Sequence, residues 1–457
     1  MNEKCIPLVA LILLILSVWI EGVSHLNGDT AWYLISTNWW LKDGIGLYTQ
    51  IQETNPPLMF YLTVPVIWFS QYFSINSMLV MKGYVFIIGF LSIAWSQYLM
   101  KINDEVSDKW RHYFLAISVL GLLLLPVGIV FGEREHFMVL LSWPYIVFAY
   151  DKKFSIQGSI IQKLCIGLFA ALGFALKPYF LFIPFLVTLG HCVTKRSIKP
   201  MWALQNLVIL VFCIFYVVYV YLMHPAYFAD ILPKALLVYN AAYQAPFLKV
   251  VEAVWPWLAI MLIALIFMVR LPEHKTSLFL ITSAFAILGG IFSYLIQQKG
   301  WAYHLYPFKV YFMFFLFWLG LFYKEFFDKK LVGAALLFGC ISVTFPTLSG
   351  LVKSGPYQDK YYKKLSPFFA CKSDKKSFMV LHNGLQASYP MANLLNAEPT
   401  NYMPHQWLFP GAIKQLAQEQ VGKEKRAKLE RILADARQRI VQNFLQKKPQ
   451  VVFIEVS

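Results

Sequence analysis

Asp29 and Glu53 stand in one long polar-aromatic loop, 22–56, that interrupts an otherwise apolar first third of the chain. A carboxylate held near a membrane surface can take a proton from a hydroxyl, provided it lies within hydrogen-bond reach. Asp29 follows Gly28 where a short helix should start, so it reads either as that base or as part of a helix cap. Glu53 precedes Thr54-Asn55-Pro56-Pro57, and the two prolines rigidify the start of the next apolar run. Three further clusters carry opposite or mixed charge. Gly132-Glu133-Arg134-Glu135-His136 packs its ionisable groups into a short turn. There Arg134 suits a phosphate, with Glu133 and Glu135 orienting it, and the bland reading is a salt-bridge knot. Lys177, before Pro178, fits a phosphate contact or a cation snorkelling to headgroups. Gln298-Lys299-Gly300 with Tyr303-His304 joins a cation to aromatics and an imidazole, more than an interfacial aromatic belt requires.

These groups need a scaffold, and composition says which kind. Of 457 residues, 58% are hydrophobic and only 14% charged. Soluble chains carry about 25% charged residues. Apolar runs fall at roughly 5–21, 57–73, 78–100, 112–131, 136–150, 160–176, 178–194, 201–222, 251–270, 275–296, 305–323 and 331–349. The expected class is an all-α polytopic membrane protein of about 11–12 apolar helices. The first run lacks a small-x-small cleavage site and is read as a retained helix. The net charge of +16 fits cytoplasmic loops and anionic lipid headgroups, and no basic-aromatic module points to nucleic acid. The six cysteines are scattered, which disfavours a disulfide framework and structural zinc. No Walker loop, GxSxG or HExxH is present.

Loop charge sets orientation. Residues 151–153, 194–199, 270–275 and 324–330 are basic and expected inside. The four clusters above, the loop 223–250 and everything past about 350 then share the outer face. One parity conflict arises, because three apolar runs separate 22–56 from 132–136 where an even number of crossings is required. The run 57–73, short and containing Pro65, is expected to be re-entrant or partly inserted. Residues 1–350 form the expected transmembrane domain. After a Lys/Tyr-rich connector, 353–376, a strand at 378–381, one or two helices within 411–446 and a strand at 451–456 predict a small outer α/β domain over 351–457.

Gly28-Asp29-Thr30-Ala31-Trp32-Tyr33-Leu34, Gly46-Leu47-Tyr48 and Glu53-Thr54-Asn55-Pro56-Pro57-Leu58 resemble the GT-C superfamily of membrane glycosyltransferases, of the protein O-mannosyltransferase and lipid A aminoarabinose transferase type. The Glu133–His136, Lys177-Pro178 and Lys299–His304 stretches look like those of a bacterial subgroup. Thr30 stands where the pattern often has a second acid. The resemblance implies transfer of a sugar from a polyprenyl-phosphate donor to an envelope glycan, lipid or protein. The expected setting is the outer face of a bacterial inner membrane. Asp29 is then the base of an inverting transfer. Arg134, Lys177 and Lys299 hold the phosphate, with Glu133, Glu135, His136 and Tyr303 in support. Glu53, with His304, holds a divalent metal (Mg, Mn or Zn) or takes part in phosphate binding by orienting those cations. The competing classes are a lipid-linked-glycan flippase, which needs charges at mid-helix depth, and a polysaccharide polymerase or ligase.

Overall fold

A computed structural model gives the fold. It describes residues 6–24, 26–103, 106–128, 130–150, 158–269, 278–322, 360–369, 377–382, 384–385, 388–404, 406–418 and 420–454. The basic stretches 151–153, 270–275 and 324–330, the apolar run 331–349, and the connector at 353–359 and 370–376 lie outside these residues, as do positions 455 and 456. The first helices are α1 (Ile6–Val23), α2 (Gly28–Lys42), α3 (Leu58–Phe73), α4 (Ser77–Lys101), α5 (Asp108–Val119), α6 (Arg134–Phe148), α7 (Ile160–Phe174), α8 (Phe182–Lys195) and α9 (Leu204–Met223). Trp255–Val269, Leu278–Gln297 and Tyr306–Phe322 continue the helical series. Among the described residues, six helices are long and apolar enough to cross a membrane. The class is the expected one, an all-α polytopic chain with a small C-terminal sheet.

The chain divides into two compact units. Unit 1 comprises 1–24, 82–216 and 245–355. Its helices are held by close backbone approach and buried side-chain hydrogen bonds, the usual means where lipid removes the hydrophobic drive between helices. At Gly289 a Cβ would meet the Ile183 Cα at 2.6 Å, so the Leu278–Gln297 helix and α8 touch there through backbone. His191 meets Thr282 at 3.2 Å, and Tyr145 donates to Asn206 at 2.8 Å.

The run 112–131 is not one helix, contrary to expectation. α5 ends at Val119, a π turn spans Leu120–Leu124, and turns follow. Non-α backbone at this depth survives only where its freed polar groups find partners. Three successive carbonyls find them. Tyr306 Oη donates to Gly121 O at 3.0 Å, His136 Nε2 to Leu122 O at 2.8 Å, and Ser17 Oγ to Leu123 O at 2.6 Å.

Unit 2 comprises 25–81, 217–244 and 356–457. Strand β1 (Ser377–Leu381) lies between β2 (Glu398–Pro399) and β3 (Val451–Ile454), parallel to both. The expected helical stretch resolves into Leu408–Leu416 and Lys423–Lys447. The latter buries Leu429, Ile432, Leu433 and Ala436, an i, i+3, i+4, i+7 stripe. That stripe packs with Trp407, Leu408 and Val238. Gly411 allows this: a Cβ there would meet the Val238 carbonyl oxygen at 2.1 Å. Phe378, Val380, Met391 and Ala392 form a second core that Ile35 of α2 joins. The 351–457 segment therefore shares both cores with earlier stretches of chain.

α3 also belongs to unit 2. It is continuous through Pro65, and its 16 residues reach only about 24 Å against a hydrocarbon core of about 30 Å. Its last residues line one cleft together with the end of α2 and with β2. Trp68, Phe69, Tyr72 and Phe73 face outward, Tyr72 at 83% exposure. Like Ile160–Phe174, α3 is an apolar helix shorter than the six candidate spans.

Candidate functional site

In unit 2 the two carboxylates of the 22–56 loop are held differently. Asn27 caps α2, its Oδ1 accepting from Asp29 N at 2.8 Å and Thr30 N at 3.2 Å. Asp29 sits in the first helical turn, part-exposed, where the helix dipole favours a negative charge. Glu53 is buried and hydrogen-bonded on both oxygens. Oε2 accepts from Trp32 Nε1 at 2.7 Å, and Oε1 accepts from Asn55 N at 2.8 Å and Asn55 Nδ2 at 2.6 Å. Trp32 is one helical turn beyond Asp29. Glu53 therefore ties the 52–57 turn to the helix that carries Asp29.

Around this knot lies a set of residues that the sequence reading did not single out. Tyr389 stacks edge-on against Trp32, with ring centres 4.7 Å apart. Its hydroxyl donates to Asn401 O at 3.0 Å and also bonds Met403 O. Burial and then the Glu53 charge hold the Tyr389 hydroxyl well above its usual pKa. The Tyr402 ring packs on Trp39 at 5.0 Å, and the Tyr402 carbonyl accepts from Gln52 N at 3.0 Å. Tyr48 is buried with a φ of 68°, a left-handed backbone that is uncommon outside Gly, Asn and Asp. Its hydroxyl donates to Asn55 O at 2.8 Å, and its ring meets Tyr227 and His224. Tyr61 bonds His224, whose imidazole burial holds below its usual pKa. The available signal was the position of His224, immediately after the apolar run 201–222 and among tyrosines.

Unit 1 gathers the remaining residues. Lys177 Nζ donates to Glu135 Oε1 at 2.6 Å, with both side chains almost fully buried. It also reaches Gln297 Oε1 at 3.4 Å. His304 Nε2 lies 3.5 Å from the same Glu135 oxygen. Tyr303 packs against His304 at 4.4 Å, and Lys177 sits 5.8 Å from the Tyr303 ring centre. Lys299 lies 5.5 Å over Trp301. Arg134, Lys177 and Lys299 are all close enough to His304 for their charge to act on it. Burial, then the Lys177 charge, lowers the Lys299 ammonium to a pKa of about 7. Glu133 and Glu135 against Arg134, Lys177 and Lys299 leave an excess of one positive charge when all are ionised. Such a group can take an anion. His136 serves the backbone instead. Gly132 N donates to its Nδ1 at 3.2 Å, so Nε2 carries the proton that binds Leu122 O. The ring locks the broken 120–124 segment to the start of α6.

Among the described residues the buried charges of the candidate spans, Glu21 and Lys82, lie near helix ends. Glu21 lies near the end of α1 and accepts from Gly128 N at 3.2 Å, and Lys82, near the start of α4, donates to Glu21 O at 2.6 Å. Among the described residues no three His, Cys, Asp or Glu side chains gather as a metal site. Glu53 already accepts three N–H groups.

No protein-family model and no curated protein matches this sequence. Among solved structures, the archaeal oligosaccharyltransferase AglB from Archaeoglobus fulgidus, in complex with an inhibitory peptide and a dolichol-phosphate, aligns with 85% of this chain at 12% identity. The TM-score is 0.39, and the aligned part is 64% of that protein, less than two thirds of its length. A likeness at that level carries no argument about fold or activity.

Proposed function

We propose that the protein is an integral-membrane glycosyltransferase of GT-C type. It moves a sugar from a polyprenyl-phosphate donor to a hydroxyl of an envelope glycan, lipid or protein on the outer face. The observation that carries this reading is the cation group of unit 1, buried Lys177 and Arg134 with half-buried Lys299, which exceeds Glu135 and Glu133 in charge below about pH 7. A phosphate leaving group needs such preorganised positive charge, which is worth most where water is excluded. Asp29, part-exposed at a capped helix start, supplies the base. It takes the acceptor proton as the acceptor oxygen bonds to the anomeric carbon and the sugar–phosphate bond breaks. The polyprenyl phosphate then departs with the bonding electrons, and the anomeric configuration inverts. Among the described residues the buried charges of the candidate spans, Glu21 and Lys82, lie near helix ends, which supports this reading over a flippase that would need charge along its path.

The test is transfer by purified protein from a panel of polyprenyl-phosphate sugars, read by mass spectrometry of the acceptor. The wild type is expected to transfer at least one sugar and Asp29→Asn to lose it. Transfer by Asp29→Asn at the wild-type rate would remove Asp29 as the base. Phosphate release that is unaffected by Lys177→Met would remove the cation group.

A further inference from the structure

Unit 2 contains a cleft of about 810 Å³ that is separate from the Asp29 end of α2. It is built by the last turns of α2 and α3, the start of α4 and the segment from Ala392 to Pro399. Asn38 lies nine positions beyond Asp29 and Asp43 fourteen, about 14 and 21 Å along a helix axis. The volume falls within the range of about 300–1,000 Å³ typical of small-molecule sites.

The lining decides the ligand chemistry. Five carboxamides, Asn38, Gln71 and Asn393 among them, are the most numerous polar side chains of the lining, beside eight apolar residues. Gln71 Nε2 donates to Asn38 Oδ1 at 2.8 Å, which leaves the Asn38 amide N–H and the Gln71 carbonyl outside that bond. Asn393 Nδ2 has no hydrogen-bond partner among the described residues. Asp43 and Glu398 are exposed to the cleft beside Lys42. Lys447 lies close enough to both carboxylates for their charge to act on it, so two cations offset two anions. A phosphate would want unbalanced positive charge. An acyl chain would want an apolar lining, and amides facing it would stay unsatisfied. A chain of hydroxyls, each both donor and acceptor, matches amides and carboxylates that offer both roles. We infer that this cleft, at the far end of α2 from Asp29, binds a neutral polyhydroxylated ligand, a short saccharide segment. The inference does not need the transfer reading, since it concerns binding alone.

The experiment uses the full chain in lipid nanodiscs and saturation-transfer NMR. The probes are chitotriose, maltotriose and mannotriose, with glucose and glucose 6-phosphate as the charge control. At least one trisaccharide is expected to bind saturably. The double variant Asp43→Asn, Glu398→Gln is expected to weaken it about tenfold, as loss of hydrogen bonds to charged groups does. Both changes are isosteric and exposed, and an unchanged unfolding temperature verifies the fold. Asp29→Asn should bind the trisaccharide as the wild type does, which separates this site from catalysis. Three results overturn the inference: no saturable trisaccharide binding, binding indifferent to the double variant, or glucose 6-phosphate binding more tightly than glucose.

Discussion

Glu53 and Glu135 are both buried carboxylates, and they are stabilised in opposite ways. Glu53, in unit 2, is surrounded by neutral N–H donors from Trp32 and Asn55. Glu135, in unit 1, is paired with a cation, Lys177, with His304 beside it. Neutral donors fix direction without adding compensating charge, so the Glu53 knot works as a brace for α2. An ion pair inside a dry site fixes potential, and an excess of cations around one carboxylate leaves room for an incoming anion. The contrast separates a carboxylate held by neutral donors from one held by a cation, although both looked alike as acids beside polar residues.

The largest expected effect bears on what the brace holds. Asp29→Asn should lower transfer by about 10²–10⁴-fold with donor affinity retained, as removal of a general base does. Rates and donor binding measured side by side would check it, and loss of both together would make Asp29 a structural acid. Next come the two buried acids. Glu135→Ala leaves the buried Lys177 without its carboxylate and should cost about 3–5 kcal/mol in denaturant unfolding. Glu53→Gln should cost about 1–3 kcal/mol, because an amide cannot accept on both sides from Trp32 and Asn55. Equal costs would erase the distinction. A smaller effect is expected with pH. Lys299, with a pKa of about 7, is cationic below that pH and loses its charge above it. Affinity for a polyprenyl phosphodiester, whose own charge is constant from about pH 6 to 9, should therefore fall above about pH 7. Lys299→Arg should flatten that fall, and a profile identical in both proteins would remove Lys299 from the anion group. Smallest is Trp32→Phe, which keeps the ring but deletes the N–H to Glu53. It should cost about 1 kcal/mol and reduce transfer without altering donor affinity.

Much of this was legible in residue order. Long apolar runs marked six helices because hydropathy is a local sum, and Gly28-Asp29-Thr30 marked a helix start because a cap needs only neighbours. The shortness of 57–73 was legible too, and the structure makes it a 16-residue helix. The break at 120–124 was not legible. Leu and Gly there look like any apolar helix, and the donors that make the break tolerable come from Ser17, His136 and Tyr306. Strand β2 was missed because two residues, Glu398 and Pro399, carry no periodicity. Tyr389 and Tyr402, far along the chain, gave no sign of packing on Trp32 and Trp39.

Sequence alone therefore determined the class of the protein, the identity of its ionisable groups and their place at the ends of apolar runs. Each follows from composition within a window of about 20 residues. Only the tertiary structure decided which acid is a brace and which a counter-ion. It also decided that the Asp29 helix is buttressed by residues more than 300 positions later, and that a polar cleft opens at that helix's other end. The reason is that hydrogen bonds and ion pairs are made by side chains brought together through space, and no local sum contains them.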